Sequence, residues 1–198
     1  MISFHLSYDY RCPFAKNMHL HVLSALRAGA DFDVTFVPWT MGQGHRMPGA
    51  PDVWDDPKQD SHNLALAVSA SIRDNQPEFF LVTHEALFRA RHEQAKNLRN
   101  VDEIEEILSP LGVDMAAVRD DLASRRPFHV LGESFRFMER FDAFGVPTFV
   151  VNDDATFVRY MQPPTDDDAA SIEVVRSLVT MMTTNANVNE FKHTKVPF

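Results

Sequence analysis

The chain has 198 residues, 44% apolar and 24% charged, which suits a globular fold large enough to bury a core. A formal charge of −9 with no run of basic residues excludes a surface built on Lys/Arg clusters, and so a nucleic-acid partner. No apolar stretch approaches the ~20 residues that span a bilayer, and Met1-Ile2-Ser3-Phe4-His5-Leu6 lacks the basic and long apolar regions of a secretory signal, so no membrane partner is expected.

Residues Ile2 to Tyr8 alternate, with Ile2, Phe4 and Leu6 on one side, as a strand does. Asp9-Tyr10-Arg11-Cys12-Pro13 follows as a polar turn ending in proline. From Phe14 to Ala28 the residues Phe14, Met18, Val22 and Leu26 recur at helical spacing, and Gly29 closes that helix. Asp31 to Trp39, with Phe32, Val34, Phe36 and Val37, predicts a second strand, distant enough for a parallel crossover. Met41 to Pro57 is rich in helix breakers and predicts a long loop.

From Asp60 to Arg126 the pattern is helical. Leu64, Val68 and Ile72 share a face, Pro77 suits the first turn of a helix carrying Phe80, His84 and Leu87, and Asp102 and Asp114 suit N-caps. A longer helix is predicted from Phe128 to Phe144. Pro147 to Val151 and Thr156 to Tyr160 then predict a hairpin around Asn152-Asp153-Asp154-Ala155. Thr165 and Asp166 suit caps for a last helix through Ile172, Val175, Leu178 and Met182. The order gives an α/β chain: a thioredoxin fold over 1–57 and 127–198, interrupted by a helical insertion domain at 58–126.

The chemistry concentrates at Cys12. Pro13 suits the first helical position, which makes Cys12 the N-cap. There its sulfur can accept from the free amides of Phe14 and Ala15 and meets the positive end of the helix dipole. Both favour the thiolate, which is the nucleophile, and an inward-pointing Arg11 would add to them. The second element is Gly145-Val146-Pro147-Thr148-Phe149, because a proline that opens a strand need not donate to the ladder. A cis bond there leaves the preceding backbone free to pair with an extended thiol substrate, and Val146 is expected to offer those hydrogen bonds. A single cysteine excludes an internal disulfide and fits a reducing compartment, so the cytoplasm is the expected location.

Cys12-Pro13-Phe14-Ala15 resembles the Cys-Pro-aromatic-Cys site of DsbA-like oxidoreductases, with Ala15 in place of the second cysteine. Gly145 to Phe149 resembles the cis-proline motif of the same family. The Tyr8-Asp9 lead-in, the Gln162-Pro163-Pro164 turn and the tail Glu190 to Lys195 look closest to the actinobacterial branch that includes mycothiol-dependent reductases. Kappa-class glutathione transferases and 2-hydroxychromene-2-carboxylate isomerases are more distant relatives of the same layout. The resemblance implies a thioredoxin core with a helical insertion, Cys12 as catalytic residue, and Pro13, Phe14, Ala15, Val146, Pro147 and Thr148 around the substrate. It also implies mycothiol or glutathione as thiol co-substrate and, from the kappa class, a homodimer.

Other residues invite other chemistry. His19 and His21 lie two apart on a helix and point to different faces, and His84 and His92 are eight apart, so surface or cleft positions are expected rather than metal ligands. Asp166-Asp167-Asp168 reads as helix capping, with no metal. Trp39 ends the second strand, where it could join Trp54 and His45 in an aromatic cleft beside Cys12. With no second thiol, Cys12 is limited to monothiol chemistry, and an oxidoreductase acting with a small thiol is the leading expectation. A thiol-dependent transferase or isomerase, and a non-catalytic thioredoxin-fold binding domain, stay open beside it.

Overall fold

In the computed structural model, which describes residues 1–195, a four-stranded sheet runs in the order β2-β1-β3-β4. Strand β1 (Ile2–Tyr8) pairs in parallel with β2 (Phe32–Pro38), from Ile2 opposite Phe32 to Tyr8 opposite Pro38. Helix α1 (Pro13–Arg27) makes that crossover, and Gly29 leaves it at φ +81°. Strand β3 (Thr148–Val151) runs antiparallel to β1, and β4 (Asp154–Phe157) antiparallel to β3. The hairpin turns on Asn152 and Asp153, both at positive φ, as a two-residue turn of matching twist requires. It is therefore tighter than the four-residue turn expected from the sequence, and β4 starts two residues earlier and ends at Phe157.

Between β2 and β3 the chain is helical. A single turn, α2 (Met41–Gly44), opens the stretch expected to be a loop. Then come α3 (Asp60–Asn75), α4 (Pro77–Glu93), α5 (Val101–Leu108), α6 (Met115–Ala123) and α7 (Arg126–Glu139). Pro77 and Asp114 take their expected places, but Asn100 rather than Asp102 caps α5: its side chain accepts from Asp102 N, and Asp102 is already inside the first turn. Helix α7 stops at Glu139 instead of Phe144, because Asp142 turns left-handed at φ +54° and Ala143 N bonds back to Met138 O. Helix α8 (Asp168–Thr184) is capped by Asp167, not by Thr165 or Asp166.

Phe4, Leu6 and Phe149 face one side of the sheet and form its core with α1 and α8. On the other side His5 lies 4.8 Å from the Phe137 ring of α7. A buried polar chain ties α1, α3 and α4 to β1. Tyr8 Oη lies 2.8 Å from Ser69 Oγ, which lies 2.8 Å from Tyr10 Oη, and Tyr10 Oη lies 2.8 Å from His84 Nδ1. His84 Nε2 is 2.8 Å from His19 Nδ1, and His19 Nε2 is 3.1 Å from Ser7 O. A carbonyl only accepts, so His19 Nε2 carries a proton and Nδ1 accepts from His84. His84 Nδ1 is then left without a proton and faces the Tyr10 hydroxyl, which donates to Ser69 Oγ.

Both histidines are fully buried, which corrects the expectation of surface or cleft positions. Burial holds His19 down to about 3 and His84 well below the ordinary range, while it pushes Tyr8 up to about 12. All members of the chain are neutral at physiological pH.

Candidate active site

Cys12 caps α1 in an extended conformation (φ −91°, ψ 118°), because Pro13 needs no donor at the first helical position. Its Sγ accepts from Ala15 N at 3.4 Å and donates to Val146 O at 3.3 Å. The Val146–Pro147 peptide is cis. Thr148 N donates to Ser7 Oγ at 2.9 Å, and Thr148 Oγ1 donates to Gly145 O at 2.7 Å. The 145–148 turn is thus pinned to β1 from within. Ala15 N and Val146 O meet at the Cys12 sulfur, with Pro13 exposed beside it. Thr148 spends both its donors on that turn, so it positions the turn rather than offering a group to a ligand.

The thiol departs from the thiolate expected of it. Burial pushes Cys12 above the ordinary thiol range, outweighing the lowering by the amides of Ala15 and Phe14; Asp9 adds to the rise and Arg159 opposes it. Only 7% of the residue is exposed, and the low dielectric around it penalises charge more than a single helix turn stabilises it. Nor does Arg11 help. Its guanidinium turns onto the buried Asp9, with Nε at 2.9 Å from Oδ1, and reaches Thr40 Oγ1 at 3.4 Å. Asp9 also accepts from Arg11 N and, at 2.9 Å, from Met41 N, so it ties the active-site turn to the start of α2.

Trp39 and Trp54 do not line an open cleft. Both are buried, Trp39 stacked on Phe135 at 5.1 Å and Trp54 tilted on it at 5.7 Å, and they pack α7 to the chain after β2. Gly44 and Gly132 leave room for them, since a Cβ would come within 2.8 Å of Trp39 and 2.9 Å of Trp54. His45 is exposed and bonds its own helical turn through Met41 O.

Two side chains at this end of the sheet, Arg159 and Phe144, were not singled out from sequence. The Arg159 guanidinium sits 4.8 Å over the ring of Phe14, which is half-buried next to Cys12. Phe144 is 77% exposed just before the 145–148 turn, with its ring 5.2 Å from Phe157. Hairpin register was the available signal, for it sets Phe157 opposite Thr148 and so sends Arg159 back toward the start of α1. No group of three or more His, Cys, Asp or Glu side chains is arranged to hold a metal among the described residues, and no helix there is long and apolar enough to cross a membrane.

Residues 5–167 match the model of the DSBA-like thioredoxin domain. Among solved structures, the cytosolic disulfide reductase DsbM of Pseudomonas aeruginosa with GSH superposes with a TM-score of 0.63 at 15% identity, over 90% of this chain and all of that one. MdbA, a thiol-disulfide oxidoreductase from Actinomyces oris, gives 0.60 at 14% identity over 92% and 80%. The oxidoreductase DsbA of Xylella fastidiosa gives 0.57 at 19% identity over 92% and 86%. At these identities the likeness is one of fold. No curated protein sequence matches the chain.

Proposed function

The chain belongs to the DSBA-like thioredoxin domain family, and we propose that it is a thiol–disulfide oxidoreductase acting through Cys12 alone. The observation that carries this reading is the placement of Cys12 Sγ at the N-cap of α1, 3.3 Å from the carbonyl that precedes the cis-proline. A disulfide sulfur that displaces Val146 O from the thiol enters along the line on which the thiol proton now points. Cys12 loses that proton to solvent and attacks. A Cys12–substrate disulfide forms, the substrate S–S bond breaks, and one sulfur leaves as thiolate. With no other cysteine in the chain, the mixed disulfide is resolved by an external low-molecular-weight thiol, mycothiol or glutathione. That thiol ends in a disulfide with the retained half of the substrate, and Cys12 returns as thiolate. A cytoplasmic location, where a lone thiol stays reduced, and a homodimer go with this reading.

The test is the pH dependence of Cys12 alkylation by iodoacetamide, with Cys12→Ala as blank. Reactivity rising only above the ~8.5 of free cysteine is expected from the burial of the thiol, together with consumption of the thiol by a small disulfide. A thiol that alkylates but exchanges with no disulfide overturns the proposal. Its protonated resting state also favours a second reading, in which Cys12 only positions a bound thiol for transfer or isomerisation, or lines a binding groove. Turnover that survives alkylation would select that reading.

A further inference from the structure

The molecule as a whole is acidic, yet one cavity is cationic. It is small, about 30 Å³, and lies between the turn Asp9-Tyr10-Arg11, the first turn of α3 at His62, the end of α4 at Arg91, and the loop that carries Arg99. Three arginines line it against one carboxylate, Asp9. That carboxylate is already occupied by Arg11 and by Met41 N. Arg91 gives only Nη1 to Lys96 O, at 3.2 Å, and neither it nor Arg99 has a carboxylate partner among the described residues. Many of the other arginines are paired: Arg27, Arg89, Arg119, Arg125 and Arg126 each hold a carboxylate.

The loop that presents Arg99 is held in shape. Ala95 and Leu98 are both left-handed at φ +57°, a conformation that non-glycine residues adopt at a cost. Leu98 is buried, and its N–H donates to Glu103 Oε2 at 2.8 Å, which occupies that carboxylate with the loop backbone. Two guanidinium groups at one small cavity, neither neutralised by a carboxylate among the described residues, suit a carboxylate or phosphate.

We propose that this cavity binds the carboxylate of the small thiol that exchanges with Cys12, held by Arg91 and Arg99. The proposal rests on the thiol-exchange reading above. One wall of the cavity is Asp9-Tyr10-Arg11, the three-residue turn directly before Cys12, and that adjacency is what points these arginines to the ligand of the thiol. The site therefore selects a carboxylate-bearing thiol of the glutathione kind over mycothiol, whose sugar portion is uncharged.

The experiment compares glutathione disulfide with the neutral bis(2-hydroxyethyl) disulfide as substrates of the wild-type chain, of Arg99→Gln and of Arg91→Gln. The preference for glutathione disulfide, read as the ratio of the two second-order rate constants for mixed-disulfide formation on reduced Cys12, each event releasing one thiol, is expected to fall about tenfold in each variant, one lost charge-assisted contact. Arg99 is exposed and makes no fold contact, so its variant reports even if Arg91→Gln loosens the loop. An unchanged ratio, with both disulfides still reduced, overturns the cationic site and leaves thiol exchange standing. If neither disulfide is reduced, thiol exchange falls, and calorimetry of glutathione disulfide on Cys12→Ser decides the cavity separately. Binding lost on Arg99→Gln keeps it, and binding that is absent or unaffected overturns it.

Discussion

Tyr10 and Cys12 are two residues apart, and the fold treats them in opposite ways. Tyr10 lies inside a buried chain of hydrogen bonds that runs from Tyr8 through Ser69, His84 and His19 to Ser7 O. Cys12 has two long contacts to sulfur and an exposed proline beside it. The network joins elements distant in sequence and is neutral, so it stabilises without reacting. The thiol is held loosely enough that a ligand sulfur can replace its partner. Polar groups in this molecule fix the scaffold on one side of the turn and leave chemistry to the other.

The sharpest way to break that comparison is to remove one member from each side. Cys12→Ser is expected to abolish disulfide exchange to background while moving the denaturation midpoint little, because the sulfur contributes two weak bonds. His84→Leu is expected to do the reverse. It leaves His19 Nδ1 without a partner inside the core and Tyr10 Oη with Ser69 alone, and is expected to destabilise the fold by about 2–4 kcal/mol. The rate of Cys12 alkylation per folded molecule should hardly change. If His84→Leu slows alkylation as much as it lowers stability, the two clusters are one unit and the contrast is wrong.

Much of this could be read from the sequence, and the failures have physical reasons. The strands, the α1 N-cap and the 145–149 turn follow from local rules: period, Pro at the first helical position, Pro at a strand start. Helix ends were off where left-handed non-glycine residues such as Asp142 stop the helix against its own apolar period. The histidine chain could not be read, because His19 and His84 lie 65 positions apart and only the packing of α4 on α1 pairs them. Trp39 and Trp54 failed differently: aromatic residues in a loop suggest a cleft, but Gly44 and Gly132 opened room to bury them. The thiol was misjudged because cap and dipole are local and visible, whereas the desolvation that outweighs them depends on the whole fold.

Acid acts on the network in one direction. The unfolded chain binds protons on its histidines below about 6.5, while His19 in the fold stays neutral down to about 3. Between these limits the unfolded state holds more protons, so stability must fall as pH drops through that window. Urea midpoints between pH 7 and pH 4 should show this slope, and it should be shallower in His84→Leu, which has lost one such histidine. Equal slopes would mean that the carboxylates, and not the buried pair, govern acid unfolding.

The smallest effect tests the open side. Arg159 is exposed, lies over Phe14 and acts on Cys12 across the mouth of the site, where Asp9 opposes it. Removing that cation leaves burial and Asp9 unopposed, so Arg159→Ala is expected to slow alkylation at fixed pH by a few-fold, a charge effect through partly solvated space. Because the cation is solvent-exposed, raising salt from 0.05 to 0.5 M, which shortens the screening length from roughly 14 to 4 Å, should slow the wild type and leave the variant nearly level. The Tyr10 side of the turn, being sealed and neutral, should show no such dependence: the stability lost in His84→Leu should be the same at both salt concentrations. A salt-sensitive rate beside a salt-insensitive stability difference is what two opposite treatments of neighbouring residues require.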